Sequence, residues 1–123
     1  MPTKKPPHPT STVRPRIRVL RGPTIALGPG KVDLLRAITV SGSLAGAARA
    51  LDMSYMRAWK LVQTMNDSFR KPLIELERGG AAQGGAQLTP TGRQVLALYE
   101  DMERESLAAI AGAWRRLRRL LAP

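Results

Sequence analysis

No cysteine occurs in these 123 residues, and the one histidine, His8, stands in a Pro-rich stretch. Disulfides, thiolate nucleophiles and cysteine-based zinc sites are therefore excluded, as are histidine-centred metal or acid–base clusters. Aromatic residues make up only 4% of the chain, and acidic residues number nine. No apolar run approaches the roughly 18 residues that a membrane-spanning helix needs, and no apolar stretch follows the basic N-terminus as a signal peptide requires. These absences argue against an enzyme. They predict a soluble, cytoplasmic chain with no catalytic residue, metal, cofactor or membrane partner.

Positive charge is what the sequence has in excess. Twenty Lys and Arg give a formal net charge of +11, far beyond what a small domain carries without a polyanionic partner. The charge is uneven: residues 1–21 hold six basic side chains and no acidic one. With 43% hydrophobic residues, the chain can build one real core, so a single domain with a short tail is expected. Residues 1–15 contain five prolines and no hydrophobic periodicity, and they are read as a disordered basic tail.

Beyond the tail, Arg16-Ile17-Arg18-Val19-Leu20 alternates basic and apolar residues, the period-2 pattern of a half-buried strand. Gly22-Pro23 supplies a turn, and Thr24 to Leu27 can return as a second strand. Gly28-Pro29-Gly30 reads as a break before a helix from Lys31 to about Val40. Ser43 is placed to cap the next helix, with Leu44, Ala47, Ala48 and Leu51 as its apolar stripe. After a turn at Asp52-Met53, Ser54 caps a third helix, Tyr55 to about Phe69, with Ala58, Leu61, Val62, Met65 and Phe69 inward. Trp59, beside that stripe, is read as core. Pro72 to Glu77 reads as a strand, residues 78–85 as a glycine-rich loop, and Ala86 to Leu88 as a short returning strand. Thr89, with Pro90 after it, opens a final helix that extends toward Leu121.

This order of elements predicts a mainly α fold with a small β wing, a winged helix-turn-helix. The division is 1–15 tail, 16–90 DNA-binding body and 91–123 a long helix for homodimerisation. In such a fold the second helix of the pair enters the major groove with its N-terminal residues at the base edges. Here that is the helix at about 54–69, opening on Ser54, Tyr55, Met56 and Arg57 and continuing outward through Lys60, Gln63 and Thr64. Ser43, at the start of the preceding helix, joins this set, and Arg78, Gly79, Gly80, Gly84 and Gly85 form the wing that lies on the backbone. A solvated amphipathic face would explain any one of these basic residues; the charge excess and the paired serine caps together favour double-stranded DNA. Tyr55 can stack on DNA or cap the core equally well. No Lys-Ser/Thr follows the glycines, which excludes a Walker-type nucleotide site, and Glu75 and Glu77 read as a solvated strand face. The run Arg115-Arg116-Leu117-Arg118-Arg119 can touch DNA or an acidic partner, but complementing the carbonyl end of the last helix is the favoured reading.

Taken together, Gly30 to Arg36, Ser41-Gly42-Ser43, Ala47-Ala48, Met53 to Trp59, Met65-Asn66, Gly79-Gly80, Gly84 to Thr89 and Gly92 resemble the N-terminal DNA-binding domain of the molybdate-responsive ModE-type regulators, relatives of the LysR-type winged helix. The resemblance covers about residues 16–105. It implies a dimeric transcription regulator, with Ser54, Tyr55, Arg57 and Lys60 facing operator DNA. Full-length members continue into domains that hold molybdate, whereas this sequence ends at Pro123, so molybdate binding is not expected from this chain alone. Two other readings stand beside sequence-specific regulation. One is a nucleoid-type architectural protein that binds duplex by charge alone. The other is a winged helix that has lost DNA binding and meets acidic protein partners.

Overall fold

Residues 10–77 and 84–123 are described by a computed structural model; residues 1–9, in the expected tail, and 78–83, which include Arg78, Gly79 and Gly80 of the expected wing, lie outside them. From Ser11 to Leu20, half-buried and exposed residues alternate without a break, as the basic–apolar pattern requires. Only the end of this stretch pairs: β1 is Val19–Arg21 and β2 is Thr24–Leu27, antiparallel, with Val19 opposite Leu27. The sequence expectation of a strand from Arg16 is too long because β2 runs out at Leu27, leaving Arg16 to Arg18 extended but without a partner strand. Gly22 turns the hairpin at φ +59°, a conformation that glycine adopts at little cost.

The first helix, α1, spans Pro29–Ser41 and so starts two residues before the expected Lys31. Proline has no N–H to donate, but the first turn of a helix has no acceptor for one, so Pro29 fits there and does not break the chain. Gly42, left-handed at φ +72°, ends α1 and donates its N–H to the Ile38 carbonyl at 2.9 Å. α2 (Leu44–Ala50) and α3 (Tyr55–Ser68) follow. Between them Asp52 takes φ +54°, tolerable for Asp, and the Met53 N–H donates to Ala48 O at 3.0 Å. β3 (Ile74–Leu76) and β4 (Ala86–Leu88) form an antiparallel hairpin with Ile74 opposite Leu88. Ile74, Ala86 and Leu88 turn inward while Glu75 and Gln87 face solvent. β4 also pairs with the turn before α2: Ala86 N–H donates to Gly42 O at 2.9 Å, and Gly85 bridges to Ser43.

Asn66 closes the connection between α3 and β3. Its Oδ1 accepts from the N–H groups of Leu73 and Ile74 at 2.8 and 3.1 Å, and its Nδ2 donates to Ile74 O at 3.0 Å. The core gathers Leu34, Leu35 and Ile38 from α1, Leu44 and Ala47 from α2, Ala58, Val62 and Met65 from α3, and Leu73 and Ile74 from the hairpin.

α4 spans Pro90–Arg118, 29 residues, or about 44 Å of helix. The Thr89 hydroxyl accepts from Gly92 N–H at 2.9 Å and donates to Pro72 O at 2.7 Å, fixing where α4 starts. Gly92 lies against β3 so closely that a Cβ there would stand 2.1 Å from the Leu73 carbonyl oxygen. Tyr99, 2% exposed, is the last residue of α4 to be buried. Its hydroxyl donates to Ile17 O at 2.7 Å, tying the chain before β1 to α4. Burial, with the Glu103 carboxylate nearby, pushes the Tyr99 phenol above its ordinary pKa, so it remains a donor. Arg36 of α1 holds Glu100 and Glu103 of α4 at 3.2 and 3.0 Å. The element order and the two hairpins make a winged helix-turn-helix with a long C-terminal helix, and among the described residues no helix is long and apolar enough to cross a membrane.

Candidate nucleic-acid interface

Serine caps set the geometry of the two helices that would meet DNA. Ser43 Oγ accepts from Gly46 N–H at 2.9 Å and Ser54 Oγ accepts from Arg57 N–H at 3.1 Å. Each hydroxyl satisfies one of the free donors of its helix start, and each keeps its own hydrogen to donate outward. α3 turns about 100° per residue, so Ala58, Val62 and Met65 face the core together. Ser54, Tyr55, Met56, Arg57 and Lys60 are all exposed. Farther along, Gln63 and Thr64 are half-buried, and the Thr64 hydroxyl donates to Lys60 O at 3.0 Å. The opening of α3 therefore carries the reachable donors, and its second half carries fewer.

Trp59 departs from the sequence reading. It is 40% exposed, because position 59 lies about 100° round from the Ala58 stripe and projects beside Lys60. Beside Tyr55 runs a groove of about 230 Å³ formed with Ser43, Arg49, Glu77, Gly84 and Gly85. It lies between the start of α2, the start of α3 and the base of the wing. Gly85 is held by its bridge to Ser43 and by accepting from Glu77 N–H at 2.7 Å. Arg49 is exposed at the end of α2. The sequence reading passed over it, although its place off the Leu44–Ala47–Ala48–Leu51 stripe is a legible sign of an outward side chain. Among the described residues, the ion pairs involve only Arg36 and Arg104, so Arg49, Arg57 and Lys60 stand without a carboxylate partner.

On the other side of α3, Arg57 borders a second groove, of about 220 Å³, with Arg16, Arg18, Lys31, Met53 and Leu61. Partial burial lowers the Lys31 pKa, and its ammonium donates to the Ile25 carbonyl.

A family profile described as "Bacterial regulatory helix-turn-helix protein, lysR family" matches residues 30–93. The "Molybdenum transport protein ModE" of Azotobacter vinelandii is 39% identical over 85 residues, 69% of this chain and 32% of that protein. The "Molybdenum-pterin-binding protein MopB" of Rhodobacter capsulatus is 43% identical over 77 residues, 63% of this chain and 28% of that protein. The "DNA-binding transcriptional dual regulator ModE" of Escherichia coli K12 is 36% identical over 72 residues, 58% of this chain and 28% of that protein. The chain thus spans about a third or less of the length of these relatives. In fold it is similar to the CbnR DNA-binding domain solved in complex with DNA, with a TM-score of 0.52 at 24% identity over 72% of this chain and 94% of that one.

Proposed function

Because the chain belongs to the bacterial regulatory helix-turn-helix proteins of the lysR family, we propose that it is a sequence-specific, DNA-binding transcriptional regulator. The observation that carries this reading is the opening of α3. Its serine-capped first turn presents Ser54, Tyr55, Met56, Arg57 and Lys60 to solvent in a chain of net charge +11, with no carboxylate paired to Arg57 or Lys60 among the described residues. In this reading α3 lies in the major groove. Arg57 reads a guanine edge or binds the phosphate beside it, while Ser43, Gly84 and Gly85 bring the wing base to the backbone, with Arg78, Gly79 and Gly80 extending it. Gln63 and Thr64, half-buried, contribute less than the first turn.

The active form is a homodimer with residues 16–90 as the DNA-binding body and 91–123 as the dimer helix. α4 leaves Leu98, Met102, Leu107 and Leu117 exposed, and a second copy related by a two-fold axis can cover them. Two α3 helices then stand one DNA turn, or a multiple of it, apart.

Selection of bound sites from a random duplex library, followed by binding measurements on the winner and on unrelated DNA, tests the proposal. Arg57→Ala should weaken the selected site by about 1–3 kcal/mol and relax its sequence preference. If no site is enriched and Arg57→Ala weakens all duplexes alike, the protein is an architectural, charge-driven binder.

A further inference from the structure

Tyr55 and Arg57 stand two residues apart at the start of α3, hence about 200° apart around its axis. They border different grooves. Tyr55 faces the wing groove with Ser43, Arg49 and Gly84, whereas Arg57 faces the groove shared with Arg16, Arg18 and Lys31. The second groove is walled by the segment that leads into the β1–β2 hairpin, and of the described residues lining it four are basic and none is acidic. None of these four cations forms an ion pair among the described residues.

The major groove of DNA is about 12 Å wide, and a helix with its side chains is about 10–12 Å across. A reading helix therefore has a phosphate strand along each flank. In the reading above, the wing base at Ser43, Gly84 and Gly85 meets one of them. We propose that the basic segment leading into β1, through Arg16 and Arg18, is a second backbone clamp that holds the phosphate strand on the flank of α3 opposite the wing. This rests on the DNA-binding reading above and adds a contact surface to it.

The segment is built to hold that position. Ile17 and Val19 pack against the core, so their neighbours Arg16 and Arg18 point outward. The Tyr99 hydroxyl fixes Ile17 O from behind at 2.7 Å. Arg21 Nη1 reaches Asp67 O, near the end of α3, at 3.4 Å, tying the hairpin along the same helix. Arg18 lies beside Gly28, its Cγ 3.6 Å from where a Cβ there would stand, and it forms no ion pair among the described residues. A row of cations held along one side of a reading helix, unpaired among the described residues, suits an anionic duplex strand.

The test compares the full chain with Arg16→Gln/Arg18→Gln, Arg16→Lys/Arg18→Lys and Arg115→Gln/Arg116→Gln, the last removing equal charge from the far end of α4. Binding to a mixed-sequence duplex several turns long is followed by fluorescence anisotropy across a salt series. Each phosphate contact contributes about 0.9 to the magnitude of the log–log salt slope. The Gln pair should lower it by up to about 1.8, so that a tenfold rise in salt costs the variant roughly 60-fold less affinity than the wild type. The Lys pair should keep the wild-type slope, and the α4 pair should leave it unchanged. A Gln-pair slope equal to wild type, with Arg57→Ala still weakening binding, overturns the clamp and leaves the DNA reading standing. An equal drop for the α4 pair also overturns it, because the effect is then diffuse charge. If the wild type binds no duplex at low salt, both readings fall.

Discussion

Replacing Gly92 with alanine adds one methyl group at the tightest backbone approach of any described glycine. The added Cβ would stand 2.1 Å from Leu73 O, more than an ångström inside ordinary contact, and also 3.0 Å from Leu73 C and 3.2 Å from Leu73 Cα. These are backbone atoms of the segment entering β3, and they cannot rotate away as a side chain would. Relief requires α4 to lift from the hairpin. That stretches Thr89 N–H to Leu73 O, now 2.9 Å, and the Thr89 hydroxyl to Pro72 O, now 2.7 Å. Overpacking of this kind costs about 1–3 kcal/mol, and weakening two hydrogen bonds adds about 1 kcal/mol or more. Alanine returns up to about 1 kcal/mol of helix propensity, leaving a net loss of about 1–3 kcal/mol. At about 4 °C per kcal/mol for a chain of this size, Tm should fall by roughly 4–12 °C. Gly30→Ala is the matched control. Gly30 lies in the first turn of α1, where a Cβ meets nothing within 4 Å, so the same change should stabilise by about 0.4–1 kcal/mol. Thermal and urea unfolding followed by circular dichroism read both variants. If Gly92→Ala is as stable as wild type or rises with Gly30→Ala, the close approach of α4 to β3 is wrong.

Ser54→Ala should destabilise by about 0.5–2 kcal/mol, whereas Ser54→Asp should keep the cap but weaken duplex binding by placing a negative charge at the phosphates; equal binding by Ser54→Asp and wild type would remove Ser54 from the interface. The wild type should sediment as a dimer at micromolar concentration and Leu117→Glu should shift it toward monomer, and a monomeric wild type contradicts the role given to α4. Because the Tyr99 pKa is raised, its contribution to stability is full below the unfolded value near 10 and lost as pH rises through the higher folded value. Tyr99→Phe should therefore cost about 1 kcal/mol at neutral pH and flatten the alkaline loss, and an unchanged alkaline profile would rule out this hydrogen bond as its source.

Local rules carried the sequence reading furthest. All three expected N-caps, Ser43, Ser54 and Thr89, accept from the expected backbone donors at 2.9–3.1 Å, because a cap depends on residues only three positions apart. Strand and helix limits were less legible. A strand ends where its partner ends, which Arg16 to Leu20 do not themselves record, and Gly28-Pro29-Gly30 reads equally well as a break or as the first turn of α1. Trp59 is exposed where its neighbours suggest core, because adjacency to an apolar stripe on a helix is not membership of it. The tie from Tyr99 to Ile17 and the bond from Arg36 to Glu100 join residues 82 and 64 positions apart, and no pattern along the chain announces them. For the same reason the candidate interface was legible on α3, where periodicity exposes it. It was not legible at Arg16, Arg18 and Lys31, which reach Arg57 only through the fold.

Asn66 leaves position 66 with almost no alternatives. The backbone between α3 and β3 asks one side chain for two acceptances and one donation at once. Aspartate has the right length but no hydrogen to give, and leucine has the right shape but would strand the Leu73 and Ile74 amides. Glutamine has the chemistry one methylene too far out. The hydrogen bonds from α3 to the start of β3 thus run through a single amide whose alphabet is close to one letter. Under the proposed DNA-binding function, laboratory evolution toward a new site can rewrite the exposed opening of α3 freely, yet should return asparagine at 66 in nearly every surviving clone.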